Sequence, residues 1–252
     1  MVTGIDRFRD WFHGYEEQYA IIGGTACDLL MSEEGMDFRA TKDIDLVLIV
    51  EAITPDFGRR FWQFVQEAGY EHCNKSTGLP QFYRFSHPTS AGYPFMIELF
   101  SRRAEAIALP ENAVLTPLPM DDDISSLSAI LLDDDYYQLV RSGTTVVDGI
   151  NVLDAAYLIP FKAKAWLDLT QKKASGQSVD SKNIRKHKND VFRLSALLTQ
   201  QTQVVVSNSV LVDLHAFLTA MKDEVVDLKQ LGIARDKETV IADLMRTYTA
   251  ET

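Results

Sequence analysis

Two aspartates are the residues of this chain whose type and spacing most clearly predict chemistry. Asp43 and Asp45 flank Ile44 at the start of an apolar, β-branched run over residues 44–50. Alternate side chains of a strand share one face, so the two carboxylates are predicted to point the same way while Ile44 points into a core. Converging carboxylate oxygens are the ligands that a hard divalent cation prefers.

A glycine pair precedes the aspartates. The segment Ile22-Gly23-Gly24-Thr25 joins a short apolar strand to a helix that is predicted to run to Met31 with Thr25 as its N-cap. Glycine lets a phosphate approach the backbone closely, and the N-terminus of a helix favours negative charge. The glycine turn and the two carboxylates together predict a metal–nucleotide site.

A third carboxylate, Glu98, lies inside the apolar run of residues 95–100. A charge in such a strand is costly unless it is paired or binds a metal. We interpret Glu98 as a third ligand beside the aspartate pair, and the alternative is a surface-facing glutamate on an edge strand. The run is predicted to pair with residues 81–86 across a turn that contains Pro88, Gly92 and Pro94.

The composition is that of an ordinary globular chain, with 252 residues, 46% apolar residues and a net charge of −11. Such a charge excludes nucleic-acid binding by broad electrostatics. A nucleic-acid substrate would need a local basic patch, for which residues 182–193 are the candidate. A solvated helix face explains the same residues equally well.

Several features predict a cytoplasmic protein. Cys27 and Cys73 are far apart and have no metal-type spacing, which fits a reducing compartment. The N-terminal residues show no apolar region of the signal-peptide kind, and no apolar stretch has the length of a membrane span.

Periodicity predicts an α+β fold, in which a mixed sheet flanked by helices is followed by a helical part. A boundary near residue 150 separates a catalytic domain, residues 1–150, from a C-terminal helical domain, residues 151–252. Two acidic runs, 121–123 and 133–135, are interpreted as solvated loops and helix caps. The predicted helices other than the one that follows the glycine pair are 5–15, 57–68, 155–170, 181–198, 209–221 and 236–248.

These residues resemble the nucleotidyltransferase superfamily and, within it, the AbiEii/AbiGii toxin-type family of bacteria and phages. The resemblance is carried by the Gly23-Gly24-Thr25 turn and by residues 39–45, which contain Arg-x-Thr followed by Asp-x-Asp. It extends to Lys162, matched to a lysine that opens a helix, and to Asp190 in a later helix. Two departures are Glu98, where many relatives have aspartate, and a single acid near Asp190 in place of a pair.

The resemblance implies transfer of a nucleoside monophosphate from a nucleoside triphosphate to an acceptor. Asp43 and Asp45 would hold Mg²⁺ or Mn²⁺ against the triphosphate, and Glu98 would help to hold a second metal and orient the acceptor hydroxyl. Gly23, Gly24 and Thr25 would contact the triphosphate through backbone N–H groups and the threonine hydroxyl. A tight turn with an ordinary N-cap is the alternative for these three residues.

Lys162 is expected to counter phosphate charge, with Asp190 beside the nucleotide. Lys164 is the competing lysine, but Asp168 stands four residues after it and explains it as a surface pair. Lys162 has Trp166 at that spacing, so its ammonium is expected to face a cleft. For Asp190 the alternative is a surface pair with the lysine four residues before it.

Three functions remain open on these grounds. The first is an active nucleotidyltransferase, the toxin of a toxin–antitoxin or phage-defence pair, with a cognate antitoxin protein as partner. Its acceptor is a tRNA end, a protein hydroxyl or a small molecule. The second is a catalytically silent nucleotide-binding or protein-interaction module with the same fold. The third is a metal-independent protein whose acidic surface binds a basic partner.

Overall fold

The computed structural model describes residues 2–49, 51–52, 54–71, 84–100 and 133–251. Over these residues the protein contains eight α-helices and a mixed six-stranded sheet, which confirms the α+β class. The chain divides into two compact units, Met1–Asp123 with Thr144–Leu153 and Ile124–Gly143 with Asp154–Thr252.

The first unit is built on a sheet with the strand order β3-β4-β2-β1-β6-β5. Parallel pairs join β2 to β4 and β1 to β6, and the other neighbours are antiparallel. The strands are β1 (Tyr19–Ile22), β2 (Asp43–Leu48), β3 (Arg84–Ser86), β4 (Met96–Phe100), β5 (Thr144–Val147) and β6 (Ile150–Leu153). The predicted pairing of residues 81–86 with 95–100 is confirmed for β3 and β4, and residues 81–83 lie outside the described ranges.

Among the described residues, three helices belong to this unit: α1 (Ile5–Phe12), α2 (Gly23–Glu33) and α3 (Pro55–Ala68). Apolar spacing on α1 and α3 builds an aromatic core against one face of the sheet. Phe8 and Phe12 are fully buried, and the ring of Phe8 lies 5.5 Å from that of Tyr19 on β1. Tyr19 is in register with Leu48, so the alternate residues Asp43 and Asp45 face away from this core.

Helix α2 follows β1 without a connecting loop. It begins at Gly23, whose φ of +72° is readily adopted only by glycine. The N-cap residue is therefore Ile22, and the prediction that Thr25 caps this helix is wrong. The apolar side chain of Ile22 offers no acceptor to the first turn.

The hairpin β5–β6 is part of this sheet and is absent from our sequence prediction. Its turn is Asp148-Gly149, with φ values of +48° and +74°. An Asp-Gly pair between apolar runs is a known hairpin signal, so the pattern was available in the sequence. Ile21 of β1 pairs with Val152 of β6, so the hairpin forms one end of the sheet, with β5 as its edge strand.

The second unit is mainly helical over its described residues. Its helices are α4 (Asp134–Ser142), α5 (Ala155–Ala174), α6 (Ser181–Leu194), α7 (Asn208–Met221) and α8 (Lys237–Thr247). A two-stranded parallel ribbon joins β7 (Val204–Val206) to β8 (Tyr248–Ala250). Each helix starts after a side chain that accepts a backbone N–H, namely Asp133, Asp154, Asp180, Ser207 and Asp236.

The cap formed by Asp133 confirms the interpretation of the acidic run at 133–135. The other run, at 121–123, lies outside the described residues. Within the described ranges, none of the helices combines the length and the apolar character that a membrane crossing requires.

Helix α5 continues through Pro160. Proline has no N–H to donate to the carbonyl four residues earlier, which here belongs to Ala156. The hydroxyl of Tyr248 on β8 donates to that carbonyl oxygen at 2.6 Å. Burial raises the pKa of Tyr248 well above its ordinary value, so its proton remains available for this bond.

Candidate active site

The strand register brings the predicted carboxylates onto one face of the sheet. Asp45 on β2 is in register with Glu98 on the parallel strand β4, and Asp43 lies two residues earlier on β2. In-register neighbours on adjacent strands share a face, at a strand spacing of about 5 Å. Strand β4 lies between β2 and β3, so the alternative of Glu98 on an edge strand is wrong.

The glycine turn lies directly against this face. A β-carbon on Gly23 would overlap Oδ2 of Asp45. A β-carbon on Gly24 would lie 2.8 Å from Oγ1 of Thr41 and 3.4 Å from Nη2 of Arg39. The two glycines therefore let the first turn of α2 approach both the carboxylate of Asp45 and the Arg-x-Thr segment.

Thr25 has a different role from the one expected. Its side chain is fully buried, and its hydroxyl donates to the backbone oxygen of Asp43 at 2.5 Å. The hydroxyl proton is thus engaged with a strand carbonyl, and the expected contact of this hydroxyl with a triphosphate would require that bond to break. Thr25 fixes the start of β2 against α2 and so positions the backbone of Asp43.

Glu98 is paired with Arg84, a residue that the sequence analysis does not single out. Arg84 on β3 is in register with Glu98, and its Nε donates to Glu98 Oε1 at 2.6 Å. The Glu98 and Arg84 side chains are 15% and 32% exposed. Arginine and glutamate directly opposite each other on antiparallel strands form a cross-strand pair. The sequence does not reveal this pair, because it does not give the register of the two strands.

The three predicted carboxylates meet only some of the requirements of a magnesium site. Among the described residues there is no group of three or more His, Cys, Asp or Glu side chains arranged to hold a metal. Mg²⁺, however, is commonly bound by one or two carboxylates together with substrate phosphates. Asp43 and Asp45 lie on one face beside the first turn of α2 and supply two carboxylates for such an ion. Glu98 lies on the same face and has Arg84 as a cationic partner.

Lys162 and Asp190 belong to the second unit and form an ion pair there. Lys162 Nζ lies 3.5 Å from Asp190 Oδ2, and Arg193 Nη1 lies 3.7 Å from Asp190 Oδ1. Lys162 is 3% exposed and Asp190 is fully buried. The pairing links α5 to α6 across the interior of this unit.

Two expectations about Lys162 are wrong, and so is the alternative interpretation of Asp190. Lys162 lies two turns inside α5, which starts at Ala155, so it does not open the helix. Because Trp166 stands four residues after Lys162, the sequence predicts that its ammonium has no acidic partner and faces a cleft. The ammonium instead pairs with an acid on another helix. Asp190 is not part of a surface pair, because its side chain is completely buried.

Lys164 forms the predicted ion pair with the acid four residues after it. Its Nζ lies 3.4 Å from Asp168 Oδ1, and a second acid, Asp213 on α7, lies at the same distance. Burial lowers the pKa of Lys164, but the two carboxylates outweigh burial and raise it overall. Tyr136 donates to Asp213 at 2.9 Å, which connects α4 to this cluster.

The basic run of residues 182–193 is in part an internal feature of the second unit. Lys188 is buried and donates to Glu224 Oε2 at 2.6 Å and to the backbone oxygen of Val225 at 2.9 Å. Arg193 is directed at Asp190. Two of the basic side chains thus serve packing, while Lys182 and Arg185 remain exposed.

The second unit also carries a polar groove of about 400 Å³. Two arginines, Arg235 and Arg246, line it, and both pair with the carboxylate of Asp243. No residue of the predicted site lines this groove.

Comparison of the chain with known protein families finds no match, and comparison with curated proteins finds none either.

Proposed function

We propose that this protein is a metal-dependent nucleotidyltransferase that moves a nucleoside monophosphate from a nucleoside triphosphate to a hydroxyl acceptor. The observation that carries the proposal is the contact of Gly23 with Asp45. It sets the N-terminus of a helix against a carboxylate that shares its sheet face with Asp43 and Glu98. In this proposal a phosphate would bind at the helix N-terminus, beside a cation at the carboxylates.

Asp43 and Asp45 would hold the divalent cation, which when bound neutralises triphosphate charge and polarises the phosphorus–oxygen bonds. The first turn of α2 would receive phosphate oxygens, because its N–H groups and helix dipole favour an anion. Gly23 and Gly24 keep that turn free of β-carbons. Glu98 would orient the acceptor hydroxyl from the neighbouring strand.

The biological role in this proposal comes from the sequence resemblance. By that resemblance the protein would be a toxin with an antitoxin partner, acting on a tRNA end or a protein hydroxyl. The engagement of Lys188 and Arg193 inside the second unit leaves fewer cations for an RNA acceptor than the sequence predicts. A protein or small-molecule acceptor is therefore favoured over RNA.

A silent nucleotide-binding module is the second candidate, and the Arg84–Glu98 pair favours it. A glutamate that accepts from an arginine at 2.6 Å is stabilised without any metal or substrate. A silent module would bind a nucleoside triphosphate and transfer nothing.

Calorimetric titration of the four nucleoside triphosphates, with Mg²⁺ and with a chelator, tests binding. Mass analysis of cellular RNA and protein after incubation with labelled triphosphates then tests transfer. We expect Mg²⁺-dependent binding and a labelled product in the wild type, and neither in Asp45→Asn. Mg²⁺-dependent binding of a nucleoside triphosphate without any labelled product identifies the silent module. Triphosphate binding that is equal with Mg²⁺ and with the chelator rejects the metal site.

A further inference from the structure

A row of three in-register residues crosses the face of the sheet that carries the aspartates. Asp45, Glu98 and Arg84 occupy matching positions on β2, β4 and β3. Two carboxylates are therefore followed by a guanidinium at the edge of the sheet. Among the described residues, Glu98 is the hydrogen-bonding partner of that guanidinium.

Arg84 differs from a metal ion in its permanence. Its guanidinium is covalently part of the chain and cannot dissociate from the site, and its Nε–H is directed at Glu98 Oε1. The bond is charge-assisted and partly shielded, since the Glu98 side chain is 15% exposed. The negative charge of Glu98 is thus already balanced before any divalent cation arrives.

We propose that Arg84 takes the place of a second metal ion, so that this site binds one divalent cation, at Asp43 and Asp45. The inference rests on the proposed function and lowers the number of ions that the resemblance implies from two to one. Arg84 is a positioning residue in this scheme, because it acts by holding Glu98. A second cation near Glu98 would have to displace the guanidinium or lie beside a like charge, and both are unfavourable.

The direct test is the number of Mn²⁺ ions bound per chain, counted from the paramagnetic resonance signal of free Mn²⁺ during titration of the full-length protein. We expect one ion in the wild type and two in Arg84→Met, because removal of the guanidinium leaves Glu98 available beside Asp45. Arg84→Lys keeps a cation next to Glu98 and should bind one. Arg59→Met is the matched control, since Arg59 pairs with Asp56 on the exposed side of α3 and should leave the count at one.

Far-UV circular dichroism will show whether Arg84→Met folds. If it does not, Arg84→Gln is the variant that tests the inference. Glutamine keeps a donor for Glu98 without the charge, and it should also raise the count to two. Two ions in the wild type, or one ion in both Arg84→Met and Arg84→Gln, overturn the inference and leave the proposed function intact. No bound Mn²⁺ in any variant overturns the inference, whereas the proposed function is tested separately by Mg²⁺-dependent binding of a nucleoside triphosphate.

Discussion

The backbone of Gly23 and the carboxylate of Asp45 are in direct contact, so that a β-carbon on the glycine would coincide with the oxygen Oδ2. Gly23 also has a φ of +72°, which an L-residue with a side chain rarely adopts. Sterics and backbone conformation therefore require glycine at this position independently. The contact is what sets the first turn of α2 beside the predicted cation ligands.

Gly23→Ala should abolish Mg²⁺-dependent nucleotide binding and destabilise the fold. The left-handed conformation alone costs about 1–2 kcal/mol, and the overlap with Asp45 adds to that. Gly35→Ala is the control: it has a similar φ of +68°, and no described atom lies within 4 Å of its β-carbon. Urea unfolding and calorimetry of both variants separate strain from the loss of the site. Equal losses of stability with nucleotide binding retained would show that the Gly23–Asp45 contact is not functional.

Asp45→Asn should lose nucleotide transfer while the protein remains folded. Fewer like charges on one sheet face should keep or raise the unfolding temperature without Mg²⁺. With Mg²⁺ at about 100 times its Kd, the wild type should gain about 2.7 kcal/mol and the variant nothing. Thermal unfolding in Mg²⁺ and after chelation measures both effects. A variant that Mg²⁺ stabilises as much as the wild type would remove Asp45 from the cation site.

Lys162→Met should destabilise the second unit by about 3–5 kcal/mol, because it leaves the buried carboxylate of Asp190 without its lysine. The double variant Lys162→Met/Asp190→Leu should recover most of that loss, since a buried pair can often be replaced by apolar residues. Chemical denaturation of the single and double variants gives these differences. A double variant no more stable than Lys162→Met would exclude the ion pair as the cause.

The same double variant tests whether Lys162 contacts phosphate. Loss of a charge-assisted bond would weaken nucleotide binding by about 1.5–3 kcal/mol even in a well-folded protein. Lys164→Ala is the control and should cost about 1 kcal/mol or less, because its pairs with Asp168 and Asp213 are partly solvated. A folded double variant with wild-type nucleotide affinity assigns Lys162 to structure alone.

Tyr248→Phe should cost about 1–3 kcal/mol, because it leaves the buried carbonyl of Ala156 without a donor. In a Pro160→Ala background the helix regains its own N–H at that position, so the same change should cost less. The difference between the two backgrounds is the coupling energy of a double-mutant cycle. Equal costs in both backgrounds would mean that the hydroxyl does not substitute for the missing helical bond.

The N-cap of α8 should make stability depend on pH in the acid range. The backbone N–H and the hydroxyl of Thr239 lower the pKa of Asp236 in the folded state. A lowered pKa stabilises the fold above the unfolded pKa of about 3.9, and this is lost as pH falls through the folded value. The stability difference between wild type and Asp236→Asn, which also caps but does not titrate, should therefore shrink below about pH 4. Urea unfolding of both proteins between pH 6 and 3 measures it, and a constant difference would contradict the mechanism.

Local patterns in the sequence determined much of this protein. The period of two along β2 sets Asp43 and Asp45 on one face, and the spacing of Phe8 and Phe12 sets an aromatic face on α1. The spacing of four between Lys164 and Asp168 likewise forms an ion pair in the structure. Each of these features depends on residues within one or two turns or a single strand, where backbone geometry alone decides which side chains meet.

The tertiary structure alone decided the partners that lie far apart in the chain. It paired Glu98 with Arg84, Lys162 with Asp190, and Ile21 of β1 with Val152 of β6. Closing a long loop costs only slightly more than closing a short one, so sequence distance does not select among such partners. Strand order, register and the packing of complete helix faces select them, and these depend on the whole buried core rather than on any local pattern.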